Sequence, residues 1–201
     1  MRKPITVSDH HQSRMIAEPL RLLDCSLESD GGGAVLVTSA ERARDFPKTP
    51  VLILGMGQHH PHFSLKDAPS LTTLGGKKSS EAAYRMAGLS PKEMNFAEIY
   101  DCFTITTLIT LEDYGFCAKG EGKDFVKGGR IEIGGELPVN THGGLLSQAH
   151  LEGMLHVTEA VKQIRGNEVE AERQVPNAAL GIVSGHGGNL CMHSTLILGA
   201  V

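Results

Sequence analysis

Residues 51–55, VLILG, form a continuous apolar run that limits the choice of fold more than any other feature of the chain. A strand with apolar side chains on both faces has to be covered on both faces, and helices usually supply that cover. Before this run lies the polar segment 45–50, DFPKTP, whose two prolines are typical of a connector. The sequence therefore predicts an α/β fold whose main unit begins at residue 51.

Further strands and helices are predicted on either side of this run. Residues 34–38, AVLVT, follow three glycines and are predicted to form a short buried strand, after which Ser39 is predicted to cap a brief helix. Residues 180–198 are typical of a strand, a glycine turn and a second strand. Apolar residues within 151–164 recur at three- and four-residue spacing, which predicts an amphipathic helix that ends at Gly166.

The composition excludes several classes of function. The chain of 201 residues carries 19 basic and 23 acidic residues, and its net charge of −4 gives no electrostatic footprint for nucleic acid or for an anionic membrane. No apolar run is long enough to span a bilayer, and the first residues lack the apolar core of a signal peptide, so we expect a cytoplasmic protein. The four cysteines show no C-x-x-C spacing, so we expect neither a disulfide framework nor a zinc site.

His150 is the first candidate for chemistry. It follows a glycine-bearing turn and is predicted to lie at the start of the helix of residues 151–164. The positive end of a helix dipole disfavours a second positive charge, so the imidazole is expected to stay neutral and able to accept a proton near pH 7. That is the state of a general base. The alternative is a structural histidine, and spacing alone does not decide between the two.

Two other patterns are weak indications of a ligand site. His59, His60 and His62 cluster in one loop, but Pro61 separates them and no carboxylate or cysteine lies at ligand spacing. A solvated or substrate-lining loop is favoured over a metal site there. Residues 30–33, DGGG, lack the lysine of a phosphate-binding loop and stand on the wrong side of the predicted strand. We therefore expect neither a metal nor a nucleotide.

A family resemblance strengthens the case for His150. Asn140, Gly143, Gly144, His150 and Gly153 match, without a gap, the thiolase pattern N-x-x-G-G-x-x-x-x-G-H-P-x-G. In thiolases this histidine activates the nucleophile and helps to hold the thioester oxygen. The resemblance thus implies a catalytic His150 and a substrate-binding role for the asparagine and the paired glycines. Three positions depart from the family pattern: Ala149, Leu151 and His156.

Residues 100–103, YDCF, resemble a second thiolase motif, N-E-A-F, which is written H-D-C-F in the branch of the sterol-carrier-protein thiolases. In thiolases this motif opens a buried helix, whereas the alternating β-branched residues that follow it here favour a strand. We follow the resemblance and predict a helix over residues 104–114. Tyr100 replaces the residue that holds a catalytic water or the thioester oxygen.

Two side chains of this motif have open roles. The Tyr100 phenol either donates a hydrogen bond to an oxyanion or, with a lowered pKa, takes a hydroxyl proton. Alternatively, its ring only packs and bonds locally. Asp101 either orients His150 or Tyr100, or caps the following helix.

Residues 184–188, SGHGG, resemble the third thiolase motif, C-x-G-G-G, whose cysteine exchanges a proton with the α-carbon of the substrate. The resemblance places Ser184 at the position of the cysteine and His186 at that of a glycine. A serine hydroxyl ionises far less readily than a thiol, so His186 either supplies the missing base or is structural. Backbone groups at Gly187 and Gly188 are expected near the thioester oxygen.

The three motifs occur in the family order and imply one half of a thiolase. Its fold is expected to be a mixed sheet of about five strands covered by helices over residues 51–201, with residues 1–50 as a connector and a remnant of the N-terminal half. The acylated cysteine of thiolases belongs to a part of that half that precedes anything in this chain, which implies a truncated or split member. The resemblance also implies an enzyme on a CoA thioester, with CoA as part of the substrate and no separate cofactor.

Three functions stay open at this point. The first is acyl transfer with carbon–carbon bond formation or cleavage, as in acetyl-CoA acetyltransferases. The second is retro-aldol cleavage of a 3-hydroxyacyl-CoA through Tyr100. Related aldol-lyases that act on branched acyl-CoA esters, such as sterol side chains, use tyrosine in this region and pair with an OB-fold and zinc-ribbon protein. The third is a non-catalytic acyl-CoA-binding or assembly subunit.

The resemblance also bears on assembly. Loss of most of the companion half is expected to leave apolar surface exposed. We therefore expect a homo-oligomer, a complementary thiolase half or another partner protein to cover it.

Overall fold

The computed structural model describes residues 3–201. Within this range the helices are α1 (Val7–Gln12), α2 (Ala40–Ala43), α3 (Gly76–Ala87), α4 (Thr104–Asp113), α5 (Gly122–Phe125), α6 (Gly144–Ser147) and α7 (Met154–Arg165). The strands are β1 (Met15–Ala17), β2 (Leu20–Arg21), β3 (Val51–His59), β4 (Phe96–Glu98), β5 (Leu180–Gly187) and β6 (Met192–Ala200). β1 and β2 pair as a separate two-stranded sheet, and the other strands form the main sheet.

The main sheet is mixed, as predicted, and has four strands in the order β3-β6-β5-β4. β6 pairs antiparallel with β3 and with β5, whereas β4 pairs parallel with β5. The expected fifth position, beyond β4, is reduced to a single bridge between Ala97 and Val139. Pro138 has no amide N–H to donate, and Asn140 turns into the left-handed region with φ of 51°. The extended segment therefore ends after one bridge.

Helices cover both faces of the sheet, which confirms the α/β fold class. Ala97, Ile182 and Ile197 are completely buried on the face that packs against α3 and α4. Val183 and Leu198, on the opposite face, are 3% exposed and pack against α7. Side chains that alternate along β4, β5 and β6 thus supply two apolar layers.

β3 departs from its predicted burial. It lies at the edge of the sheet, where α3 covers one face so closely that a side-chain carbon at Gly55 would overlap the carbonyl oxygen of Ala83. The other face is open, and Ile53 and Met56 are 42% and 53% exposed. The prediction of burial on both faces was therefore wrong for this strand, although its position was right.

α4 confirms the predicted helix against the strand propensity of its residues. Thr106 and Thr110 are buried, and their hydroxyl groups donate to the carbonyl oxygens of Phe103 and Thr106 at 2.7 and 2.8 Å. These bonds satisfy polar groups that a buried helix could not leave free. Gly115, with φ of 81°, follows the end of the helix, as predicted.

The predicted strand over residues 34–38 is wrong. The segment is unpaired among the described residues, and Leu36 and Val37 are 73% and 70% exposed. A single segment gains strand structure only when a sheet edge pairs with it, and no strand lies beside this one. Ser39 caps α2 as predicted, since its hydroxyl accepts a hydrogen bond from Arg42 N. None of the helices within residues 3–201 has the length and apolarity needed to cross a membrane.

Candidate active site

Tyr100 and His150 meet at the carboxyl end of β4. The hydroxyl oxygen of Tyr100 lies 2.9 Å from Nε2 of His150. Tyr100 follows β4 and is 5% exposed, and its backbone N–H donates to the Ser184 hydroxyl on β5 at 2.9 Å. Two of the three motifs thus place their side chains in direct contact, and the third holds the backbone of Tyr100.

His150 lies in the loop before α7 rather than at the start of a helix. α7 begins at Met154, after Gly153 with φ of 79°, so the expected effect of the helix dipole on His150 does not apply. Two residues of the N-terminal region hold the histidine instead. The Ser26 hydroxyl lies 3.1 Å from His150 Nδ1, and His150 N donates to the Ser29 hydroxyl at 3.2 Å.

Glu152 is a candidate functional residue that the sequence interpretation missed. Its Oε2 atom accepts a hydrogen bond from the Tyr100 hydroxyl at 3.2 Å. The signal in the sequence was slight. Glu152 occupies the variable position x of the pattern G-H-P-x-G, two residues after His150. An acidic side chain this close to a candidate base was reason to consider it.

The phenol of Tyr100 is held in its protonated form. Burial, followed by the negative charge of Glu152, raises the pKa of Tyr100 above its usual value. Proton abstraction by a tyrosine with a lowered pKa was one of the two sequence hypotheses, and this environment acts against it. A role in which Tyr100 donates or relays a proton is compatible with the site.

Two histidine rings stack with the ring of Tyr100. The ring centroids of His186 and His156 lie 5.4 and 6.2 Å from that of Tyr100, and both pairs are stacked. His193 pairs with His186 across the β5–β6 hairpin, at 4.2 Å between ring centroids. Burial lowers the pKa of His186 to about 3 and that of His193 to about 4. Both rings are therefore neutral near pH 7, and His186 is a weak base.

Asp101 plays a role that none of the predicted alternatives described. Its carboxylate accepts hydrogen bonds from Leu145 N at 2.7 Å and Leu146 N at 3.3 Å, so it holds α6 rather than α4. It also lies 3.3 Å from Nε2 of His156. No described hydrogen bond joins Asp101 to His150 or to the Tyr100 side chain.

Asn140 and the glycines of its motif build the scaffold around Tyr100. The Asn140 side chain accepts from Ile99 N at 2.6 Å and donates to Ile99 O at 2.9 Å, which fixes the residue before Tyr100. Gly143 and Gly144 have φ of 99° and 62° at the start of α6. The substrate-binding role that the resemblance implied for Asn140, Gly143 and Gly144 stays a prediction, and the Asn140 amide has a structural role as well.

Gly144 offers a direct test of this scaffold. A side-chain carbon there would overlap the carboxylate of Asp101, and the positive φ adds strain. We expect Gly144→Ala to lower the free energy of unfolding by about 3 kcal/mol. Gly128→Ala, at a similar φ of 68° with open space around it, is the matched control and is expected to cost about 1 kcal/mol. Urea unfolding of both variants measures the difference, and equal losses would contradict this role of Asp101.

A buried polar network lies beneath the site. Glu98 of β4 is completely buried, and its Oε2 atom lies 2.9 Å from Nδ1 of His142. Burial acts to lower the pKa of His142, but the hydrogen bond and charge of Glu98 outweigh it, so the pKa is raised. Arg173 lies 2.6 Å from the buried Glu159 of α7. The first pair fastens the loop before α6 to the sheet, and the second fastens residues 171–173 to α7. The sequence interpretation did not anticipate either pair.

Two clefts lie next to these residues, and Glu152 lines both. One cleft, of about 440 Å³, lies between the loop of His150 and residues 31–33, GGG. The other is lined by apolar side chains together with Ser184. Gly187 and Gly188 lie beside His186 at the end of the β5–β6 hairpin. The arrangement leaves open space on two sides of the Glu152 carboxylate.

The loop histidines do not assemble with other ligands. Among residues 3–201, no group of three or more His, Cys, Asp or Glu side chains is arranged to hold a metal ion. The prediction that His59 lies in the loop was wrong, because it is the last residue of β3 and faces His193 across the β3–β6 pair.

Comparison with known proteins identifies similar chains. Residues 57–200 match the family model described as "Thiolase C-terminal domain-like". The "Steroid side-chain-cleaving aldolase" of Thermomonospora curvata is 43% identical over 208 residues, covering 98% of this chain and 51% of that protein. The "17-hydroxy-3-oxo-4-pregnene-20-carboxyl-CoA lyase" of Mycobacterium tuberculosis is 46% identical over 179 residues, covering 83% of this chain and 45% of that protein.

A solved structure gives the same result for the fold. The "Ltp2-ChsH2(DUF35) aldolase" matches 98% of this chain and 52% of its own chain, with a TM-score of 0.90 and 42% identity. The chain spans about half the length of the curated relatives it matches. The residues that the family model matches include Tyr100, His150 and Ser184.

Proposed function

The chain belongs to the thiolase superfamily, as its three motifs predicted, and from that premise we propose that it cleaves a 3-hydroxyacyl-CoA by a retro-aldol reaction. The observation that carries the proposal is the position of the Tyr100 hydroxyl, 2.9 Å from His150 Nε2 and 3.2 Å from Glu152 Oε2. A retro-aldol reaction begins with removal of a hydroxyl proton. A phenol between two titratable groups can accept that proton while passing on its own.

In the proposed reaction, the proton of the β-hydroxyl group passes to the Tyr100 oxygen as the phenol proton moves on. The bond between the α- and β-carbons then breaks, the β-carbon becomes a carbonyl carbon, and the electron pair forms the enolate of the thioester. Return of the proton to the α-carbon gives the shortened acyl-CoA. Tyr100 carries no lasting negative charge in this sequence, which agrees with its raised pKa.

The remaining site residues have proposed supporting roles. Backbone N–H groups at Gly187 and Gly188 would donate to the enolate oxygen, where negative charge develops. Ser184 holds the backbone of Tyr100 and lines the adjoining cleft, so it would lie near the α-carbon of a bound substrate. His186 would stay neutral and keep the Tyr100 ring in place.

The names of the relatives support a bulky substrate. Two of them are named for cleavage of a steroid side chain or of a steroid carboxyl-CoA. We therefore propose a branched acyl-CoA with a tertiary β-hydroxyl group as the substrate class.

We propose a DUF35 protein as a partner, because the solved aldolase is described with one, and the sequence resemblance pointed to an OB-fold and zinc-ribbon partner. Such a partner, or a companion thiolase half, would cover exposed apolar residues such as Leu36 and Val37.

Acyl transfer through a cysteine has less support within this chain. Burial raises the pKa of Cys25, Cys102 and Cys117, so these groups are thiols rather than nucleophilic thiolates at neutral pH. A retro-aldol reaction needs no acyl-cysteine. The two relatives named above are also a lyase and an aldolase rather than transferases.

The experiment is to incubate the chain with a 3-hydroxyacyl-CoA that carries a tertiary β-hydroxyl group, with and without a DUF35-type partner. We expect a ketone and a shortened acyl-CoA in equal amounts, measured by liquid chromatography and mass spectrometry. Acyl transfer to added CoA without a ketone would identify a thiolase instead. Binding without any product in both samples would identify a non-catalytic subunit and refute the proposal.

A further inference from the structure

The directions of the hydrogen bonds around Tyr100 can be worked out from the chemistry of the groups. Its hydroxyl oxygen lies within hydrogen-bond distance of two partners, His150 Nε2 at 2.9 Å and Glu152 Oε2 at 3.2 Å. A phenol hydroxyl has one proton to donate, although its oxygen can also accept. One of the two bonds must therefore have Tyr100 as its donor, and the other must have Tyr100 as its acceptor.

The carboxylate decides which bond is which. An ionised carboxylate can only accept, so the bond between Tyr100 and Glu152 has the phenol as its donor. The bond to His150 must then run from Nε2–H to the phenol oxygen. In that tautomer Nδ1 carries no proton, and it accepts from the Ser26 hydroxyl at 3.1 Å. Every polar group in the chain Ser26–His150–Tyr100–Glu152 is satisfied by this single arrangement.

From this arrangement we propose that Glu152 is the proton-accepting residue of the site and that His150 acts as a hydrogen-bond donor to Tyr100. The proposal rests on the proposed retro-aldol function and assigns its base. The proton of the substrate's β-hydroxyl group moves to the Tyr100 oxygen while the phenol proton moves to the Glu152 carboxylate. After the carbon–carbon bond breaks, the same two transfers in reverse deliver a proton to the α-carbon of the enolate. No proton is gained or lost overall, and no co-reactant is needed.

The backbone at Glu152 supports a dedicated position for this carboxylate. Its φ of 53° lies in the left-handed region, which a glutamate rarely adopts, and Gly153 follows with φ of 79°. A side-chain carbon at Gly153 would lie 3.1 Å from the Tyr100 ring, so the chain turns closely around that ring. Strained residues persist where their surroundings fix them, and they often lie at functional sites. The exposed carboxylate also lines both clefts, so a bound molecule could reach it.

Two measurements test the proposal. The first is the tautomer of His150, determined by ¹⁵N NMR of the chain with labelled histidine, which does not depend on turnover. We expect His150 to carry its proton on Nε2. A proton on Nδ1 would overturn the assignment, since Nε2 would then accept from Tyr100 and Glu152 would lose its proton donor.

The second measurement is turnover of Glu152→Gly. Glycine accepts a φ of 53° without strain, so this variant removes the carboxylate and leaves the backbone in place. We expect the rate of cleavage to fall about 100-fold, and formate, as an exogenous carboxylate, to restore at least a tenfold gain. Asn167→Gly, with the same backbone change at a φ of 60° outside the site, is expected to keep the rate of the unaltered chain.

The outcomes separate this inference from the proposed function. If the unaltered chain, alone or with its partner, yields no ketone, the retro-aldol function fails and the inference fails with it. If the unaltered chain cleaves the substrate and Glu152→Gly cleaves it at a similar rate, only the role of Glu152 is refuted. A loss of turnover that formate does not restore would also refute it, because a purely structural defect gives that result.

Discussion

Replacement of Tyr100 by phenylalanine is expected to lower kcat/KM for 3-hydroxyacyl-CoA cleavage about a thousandfold, within the range usual for loss of a proton-transfer group. The change removes the one oxygen atom that lies between His150 and Glu152, and with it the path for the hydroxyl proton. The phenylalanine ring keeps the stacking on His156 and His186. Affinity for the acyl-CoA is therefore expected to change by no more than about twofold.

The loss in turnover must be separated from a loss of stability. His150 and Glu152 both reach solvent, so the absent hydroxyl is expected to cost only about 1 kcal/mol of unfolding free energy. Tyr84→Phe is the matched control, since the Tyr84 hydroxyl is buried and bonds to Tyr114 O at 3.4 Å, away from the site. Steady-state kinetics, calorimetric binding and circular dichroism measure these effects. If Tyr100→Phe kept more than about a tenth of the activity, Tyr100 would not be the group that takes the hydroxyl proton.

The sequence was sufficient to predict the elements that local pattern or family motif determines. The β5–β6 hairpin follows from two apolar runs around a glycine turn, and it forms as predicted. α4 shows where the motif outweighed local propensity, because threonine hydroxyl groups bond to backbone carbonyls inside the helix. The proximity of Tyr100 and His150 also follows from the motifs, since each was expected near the thioester.

The start of α7 shows why the environment of His150 was predicted wrongly. The apolar periodicity begins at Leu151, and the pattern alone carries the helix back to His150. Glu152 and Gly153 adopt positive φ values, which apolar spacing does not reveal, and they delay the helix to Met154. The same two residues bring a carboxylate to Tyr100. The error in the helix boundary and the missed functional residue therefore have one cause.

Other site contacts depend on pairings that only the folded chain creates. Ser26 and His150 are far apart in the chain, and no pattern in the sequence links them. The resemblance implied a substrate-binding role for Asn140 and Gly144, whereas Asp101 was predicted to orient His150 or Tyr100 or to cap the following helix. In the fold the Asn140 amide holds Ile99 in place, and the Asp101 carboxylate holds α6. The three motifs thus predicted which residues lie around Tyr100, but not which polar contacts those residues make.

Acidification from pH 6.5 to 4.5 is expected to lower the free energy of unfolding by about 4 kcal/mol. Burial lowers the pKa of His186 to about 3 and that of His193 to about 4 in the folded state, whereas an unfolded chain has histidine pKa values near 6.5. The unfolded state therefore binds more protons over this range, and stability falls as the pH falls. Each group contributes up to about 1.4 kcal/mol per pH unit.

The surroundings of the two rings explain this behaviour and limit the pH window. His186 faces the Thr110 hydroxyl, the Tyr100 ring and His193. The other charges that act on the two rings are those of His156, His59 and His62, so among residues 3–201 no carboxylate offsets a positive charge on either ring. His142 affects stability in the opposite direction. Its pKa is raised, so its contribution to the free energy of unfolding is fully present below about pH 6.5 and is lost only as the pH rises. Carboxylates with lowered pKa values lose their contribution only below about pH 4.

Urea unfolding of the chain at several pH values tests this expectation. His193→Gln removes one of the two groups and is expected to reduce the slope of stability against pH to about half between pH 6.5 and 4.5. His11→Gln, at an exposed histidine of α1, is the matched control and should leave the slope unchanged. Because domains of this kind are stable by about 5–15 kcal/mol, the unaltered chain should be close to unfolding near pH 4.5. A flat profile over this range would mean that His186 and His193 are protonated in the folded chain, and the packing of neutral rings beside Tyr100 would be refuted.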